Sequence, residues 1–158
     1  MIYSHPLFQL GITVTDKGIQ AISFDPDKSV SEQTLSIKQK HHLTHLKQEL
    51  DLYFSEELSV FTVPLDISGT SFQQKVWQAL CQIPYGQSVT YQDIGQAIMQ
   101  PKACQAIGQA NKKNPLPILI PCHRVIGKNG KLTGYMGQSE KGLRIKEYLL
   151  ALEKNANV

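Results

Sequence analysis

One stretch restricts this chain more than any other: Leu116-Pro117-Ile118-Leu119-Ile120-Pro121-Cys122-His123-Arg124-Val125-Ile126, entered directly from Asn114-Pro115. Its apolar residues need burial. Each proline fixes φ and withholds an N–H donor, so the backbone here has few options. The segment therefore delivers a thiol from a short, buried, proline-pinned connector, with an imidazole and a guanidinium next to it. Cysteine reacts as its thiolate. A rigid support of this kind would hold the sulfur in place rather than on a floppy loop.

At 158 residues the chain has room for one ordinary domain or two small ones. An apolar fraction of 41% with 18% charged residues is that of a globular protein. No run approaches the roughly 20 apolar residues that span a bilayer. Met1-Ile2-Tyr3-Ser4-His5-Pro6 lacks the basic and apolar regions of a secretory signal. The cysteines, Cys81, Cys104 and Cys122, show neither zinc-ligand nor C-x-x-C spacing. Reduced thiols in a cytoplasmic setting are expected, without membrane association. Charge is divided along the chain. Residues 1–70 hold five Lys against five Asp and four Glu, net −4, and residues 71–158 hold nine Lys and two Arg against one Asp and three Glu, net +7. A basic half fits a polyanion partner, although an excess of this size also serves solubility.

The first 24 residues read as a hairpin: Phe8–Val14 alternates, Asp16-Lys17-Gly18 turns, and Ile19–Phe24 alternates again. Ser29–Lys40 is polar and reads as loop. Leu43, Leu46, Leu50 and Phe54 predict a helix over 42–55. Phe61–Ile67 is either a strand or an extended linker. Ser68-Gly69-Thr70 marks a boundary between a domain at 1–68 and another at 69–158. Beyond it the pattern is helical. Thr70 or Ser71 caps a helix burying Phe72, Val76, Trp77, Leu80 and Ile83. Thr90-x-x-Asp93 forms a capping box for a second helix. Pro101 suits the first turn of a third, running from Lys102 to about Lys112. The second and third make a helix-turn-helix candidate. A last helix spans 141–153. The third helix carries Lys102, Gln105, Gln109 and Lys112 or Lys113 on one face, donors for phosphates and base edges. A core helix with a solvated polar side accounts for that composition equally well.

In their order and spacing, Phe72-Gln73-x-x-Val76-Trp77, Ile83-Pro84-x-Gly86, Tyr91-Gln92, Pro101-Lys102-Ala103, the 114–126 segment, Gly134-Tyr135 and Leu149-Leu150-x-x-Glu153 resemble the O6-alkylguanine-DNA alkyltransferases. The resemblance covers residues 70–153. It implies an α+β protein: a small α/β, ribonuclease H-like N-terminal domain as scaffold, then a helical domain with a helix-turn-helix. It implies irreversible transfer of an alkyl group from O6 of guanine in duplex DNA to Cys122, with one turnover per molecule, by a monomer that uses no cofactor and no metal. Transfer to Cys122 from O4 of thymine is left open.

The resemblance also assigns roles. His123 takes the thiol proton through a water, Glu153 orients the imidazole, and Asn114 braces the turn. The Tyr91 hydroxyl meets the purine N3, the Met136 N–H lies near O6, and the Cys122 carbonyl and Val125 N–H meet the base edges, with Tyr135 beside the substrate. Lys102, Gln105, Ala106, Gly108, Gln109 and Arg124 are expected to face DNA. The target nucleotide must leave the stack to reach a buried thiol. Two departures stand out. Gln105 occupies the place of the arginine that fills the vacated stack, and 136–142 is a longer loop than the usual glycine pair. A lesion-binding protein without transfer and a thiol hydrolase are the competing readings. Cys122 argues against the first, and the basic half and helix-turn-helix against the second. His41 and His45, at i and i+4, read as a solvated helix face among lysines. Cys81 reads as core, and Cys104 as buried or as a bystander near DNA.

Overall fold

Alternation near the N-terminus produces a three-stranded antiparallel sheet. In this computed structural model, which describes residues 1–26, 34–130, 132, 135 and 140–156, β1 (Ile2–His5), β2 (Phe8–Thr15) and β3 (Gly18–Phe24) lie in chain order. Tyr3 pairs with Leu10, and Ile12 with Ile22. The hairpin is the one the sequence predicts. β1 is an addition, since four residues are too few to display a period. α1 (Ile37–Phe54) begins five residues before the predicted helix, because Ser36 and Gln39 form a capping box in front of a polar first turn. Its Leu43, Leu46, Leu50 and Tyr53 are buried with Leu10, Ile12, Ile19 and Ile22 of the sheet strands.

The 61–67 segment is tied to this unit by backbone bonds. Ile19 N–H donates to the Pro64 carbonyl at 2.9 Å, and Asp66 N–H to the Ile19 carbonyl at 2.8 Å. This makes a single parallel bridge, Ile19 with Leu65, rather than a full strand. Gly18, at φ 154°, permits it, because a Cβ there would overlap the Pro64 carbonyl. The buried Glu49 carboxylate accepts N–H bonds from Thr62 at 2.9 Å and Val63 at 2.8 Å. His45, one member of the histidine pair, contacts Thr62 Oγ1 at 3.0 Å.

The chain forms two compact units, Met1–Ser68 and Gly69–Asn157. In the second, Thr70 caps α2 (Ser71–Cys81). Trp77, buried on α2, donates its indole N–H to the Ala110 carbonyl at 2.9 Å and so fixes α2 against α4 (Cys104–Lys112). Cys81 is exposed, a correction to the core assignment: it falls on the solvent side of the last turn while Leu80 faces inward. β4 (Val89–Thr90) leads into α3 (Tyr91–Ala97) through the predicted Thr90–Asp93 capping box. α4 starts two residues later than predicted. Pro101 and Lys102 belong to the turn, and Ala103 precedes the helix without a side-chain cap. Ile107 is fully buried beneath α4, worth about 1.5–3 kcal/mol. β5 (Val125–Ile126) pairs in parallel with β4. α5 (Glu140–Asn155) buries Ile145, Leu149 and Leu152 together with two charged residues, Lys146 and Glu153. Among the described residues no helix is long and apolar enough to cross a membrane.

Candidate active site

The segment before the thiol is a tight, braced turn. Asn114, 2% exposed, accepts the Leu116 N–H at 2.9 Å and donates its amide to the Ile120 carbonyl at 2.8 Å. Ile120 N–H returns to the Leu116 carbonyl at 2.8 Å, and Cys122 N–H reaches the Ile120 carbonyl at 2.7 Å. Ile118 sits at φ 77° while almost fully buried. For a β-branched residue that conformation costs on the order of 1–3 kcal/mol, sustained by the packing and bonds around it. The turn ends in a 3-10 turn, Cys122–Arg124, directly before β5.

Cys122 is 1% exposed. Burial pushes its thiol up from 9.0 to about 11, against hydrogen bonding from Asn114, the Lys146 charge, its own backbone and Tyr135, which all pull the other way. At neutral pH the resting group is therefore a protonated thiol, and its proton has to leave in the course of the reaction. The sulfur is not surrounded by hydrocarbon. Tyr135, also buried, stands beside it. Met136, expected near O6, lies outside the described residues, as does most of the 136–142 loop.

His123 is wholly buried, and its Nε2 is 2.7 Å from Glu153 Oε2. Burial lowers the imidazole basicity, and the Glu153 hydrogen bond and charge partly restore it. Burial pushes the Glu153 carboxyl up, but hydrogen bonds and charges from His123 and Arg124 outweigh that and hold it well below the usual carboxylate range. His123 Nδ1 is buried with no hydrogen-bond partner among the described residues. Two expectations are corrected at this point. Arg124 does not face a DNA surface. It is 7% exposed, and its guanidinium bonds Glu153 and the Ile83 carbonyl, because the 3-10 turn aims it inward. The Val125 N–H is not open to a base edge: it closes the turn on the Cys122 carbonyl.

Pattern reading missed Lys146. It is fully buried, with Nζ 2.7 Å from the Val125 carbonyl. Burial lowers its basicity, and Cys122 acts to restore it once it is ionised. A signal was present: Lys146 lies on the apolar stripe of Ile145, Leu149 and Leu152, seven residues before Glu153, where a solvated lysine would not be placed. Asn111, also missed, is buried with its amide 3.5 Å from the Cys122 carbonyl.

α4 presents a different surface. Lys102, Gln105, Ala106, Gln109, Lys112 and Lys113 are exposed, and nothing lies within 4 Å of the position a Cβ would take on Gly108. The small residues leave room for close approach by a partner. Cys104 is exposed on the same helix. Tyr91, half-buried, opens α3.

A buried thiol adjacent to a buried imidazole–carboxylate pair, in one unit with the α3–turn–α4 pair, fits a cysteine-centred group-transfer protein. Residues 71–155 match the DNA binding domain of 6-O-methylguanine DNA methyltransferase, and residues 1–67 match its ribonuclease-like domain. The chain belongs to this family. It is 52% identical over 122 residues (77% of this chain, 72% of the relative) to the constitutive methylated-DNA–protein-cysteine methyltransferase of Bacillus subtilis. It is 42% identical over 155 residues (98% and 96%) to the Methanosarcina mazei methylated-DNA–protein-cysteine methyltransferase. Its fold superposes with a TM-score of 0.83, at 38% identity, on the crystal structure of Mycobacterium tuberculosis OGT in complex with DNA, covering 97% of this chain and 91% of that one. The mixed α+β class expected from the sequence is the class observed.

Proposed function

We propose that this protein repairs DNA by direct reversal, moving a methyl or other alkyl group from O6 of guanine in duplex DNA to Cys122, once per molecule. O4 of thymine is a second candidate donor. The observation that carries this reading is the buried Cys122, His123 and Glu153 set held by the Asn114-braced turn in the unit that bears the exposed α4 face.

The chemistry balances as follows. The thiol proton passes to His123 Nδ1 through a water. The thiolate attacks the alkyl carbon in line with the C–O bond, an S–C bond forms, and the C–O electron pair goes to the purine. That anion is the costly species, and a hydrogen bond to N3 from the Tyr91 hydroxyl disperses its charge. The purine ends with the proton the thiol gave up. Lys146 lowers the cost of the thiolate in a site where burial opposes it. The α4 face, with Lys102, Gln105, Ala106, Gly108 and Gln109, enters the minor groove beside the extruded nucleotide. Residues 1–68 act as a scaffold and 69–158 carry DNA binding and transfer. The protein works as a cytoplasmic monomer.

Mass spectrometry after mixing with an O6-methylguanine duplex tests this. One methyl on Cys122, absent in Cys122→Ser, is the expected result. An unmodified protein held in a stable complex would overturn the transfer and leave a lesion binder.

A further inference from the structure

We propose that Arg124 is a positioning residue for the transfer: by gripping Glu153 with two prongs it keeps that carboxylate ionised and closed to protons, and so fixes His123 as the neutral Nε2–H tautomer with its Nδ1 lone pair turned to the reaction. The inference rests on the alkyl-transfer reading above.

Glu153 is saturated as an acceptor. A carboxylate offers about four lone-pair sites. Four donors are aimed at this one. Oε1 receives Arg124 Nε at 2.8 Å and the Gly86 N–H at 3.4 Å, and Oε2 receives His123 Nε2 at 2.7 Å and Arg124 Nη2 at 3.0 Å. A proton on Glu153 would confront a guanidinium, which has no acceptor and does not give up its charge. Glu153 is therefore an ionised acceptor, and the hydrogen between it and Nε2 belongs to the ring.

Two ring states satisfy that condition, neutral Nε2–H and imidazolium; burial disfavours the charged ring most, and the facing charges act on top of it. Facing His123 are Glu153 and Lys146 from α5 and Arg124 and Cys122 from its own turn; Cys81, at the end of α2, and Tyr85, whose ring centroid is 5.6 Å from the guanidinium carbon, face Arg124. The Glu153 hydrogen bond and charge pull a proton toward the buried ring, and the Arg124 and Lys146 charges oppose that pull. The ring thus rests neutral. When it takes the thiol proton, none passes on to Glu153, whose basicity the Arg124 and His123 contacts suppress, and the imidazole holds it until the purine claims it.

Nitrogen-15 spectroscopy of the histidine rings in the full-length wild-type protein reads this without DNA. At pH 7 His123 is expected to be neutral, protonated at Nε2 and unprotonated at Nδ1. Imidazolium, or an Nδ1–H tautomer, would overturn the proposal whether or not any variant folds. In Arg124→Gln the ring is expected to take up its proton at higher pH than in the wild type, and the acid limb of single-turnover methyl transfer should move up by at least about one pH unit. Arg124→Lys, which keeps the cation, should leave that limb near its wild-type position. In a Glu153→Gln background, Arg124→Gln should bring no further loss of rate, since its partner is already gone. A folded Arg124→Gln with an unmoved limb would also sink the idea. Failure of the wild-type protein to accept a methyl group would instead count against the transfer reading and leave the ring measurement standing.

Discussion

A single lysine illustrates how much of this site is set by individual groups. Lys146 is completely buried beside a thiol whose burial pushes it up to about 11. Replacing it by methionine keeps the apolar stem and removes the charge. Methyl transfer at pH 7 by Lys146→Met should fall about tenfold, the equivalent of one pKa unit, and should recover as pH rises. A rate loss independent of pH would show that the cation does not act on the sulfur. The thiol itself has a stability signature. Its folded value lies above the ordinary 9.0, so its contribution is intact below pH 9 and is lost as pH climbs toward 11. Over that interval the wild type should lose roughly 2–3 kcal/mol relative to Cys122→Ser, read from denaturant melts at each pH.

Among the elements, α4 gives the clearest prediction. Gln105 stands exposed where the family resemblance places an arginine, next to Ala106 and the open face of Gly108. A charged donor there makes stronger hydrogen bonds than an amide. Gln105→Arg should tighten lesion-duplex binding by about 1 kcal/mol and speed single-turnover transfer; unchanged rate and affinity would remove Gln105 from the DNA face. The elements also show what could be read before any coordinates. The capping box at Thr90 was legible because it is a local, four-residue signal, and for α2 Thr70 was one of two candidate caps, its box with Gln73 not being read. The start of α4 was not, because Pro101 fits a first helical turn and the tight connection equally well. The β4–β5 pair escaped notice because two residues carry no period and their partner lies far along the chain. Cys122, His123, Glu153 and Asn114 could be named from motif order. The inward turn of Arg124 could not, since it depends on where α5 lands, whereas the place of Lys146 on the apolar stripe of α5 signalled its burial.

For the molecule as a whole, charge is segregated: net −4 up to residue 70 and +7 beyond it. Duplex affinity should therefore fall with salt through the second half alone. Exchanging both Lys102 and Lys112 for alanine should lower the slope of log affinity against log salt by up to about 2, equally for damaged and intact DNA. A slope unaffected by both changes would move the contact surface elsewhere. The last helix links this scale back to the chemistry. Lys146 and Glu153 are two turns apart on one rigid rod; the first acts on the sulfur through its charge and the second bonds the imidazole. They cannot be displaced separately. A slide of that rod by a fraction of a turn would disarm nucleophile and base together, so the terminal segment works as a single safety catch on the whole reaction.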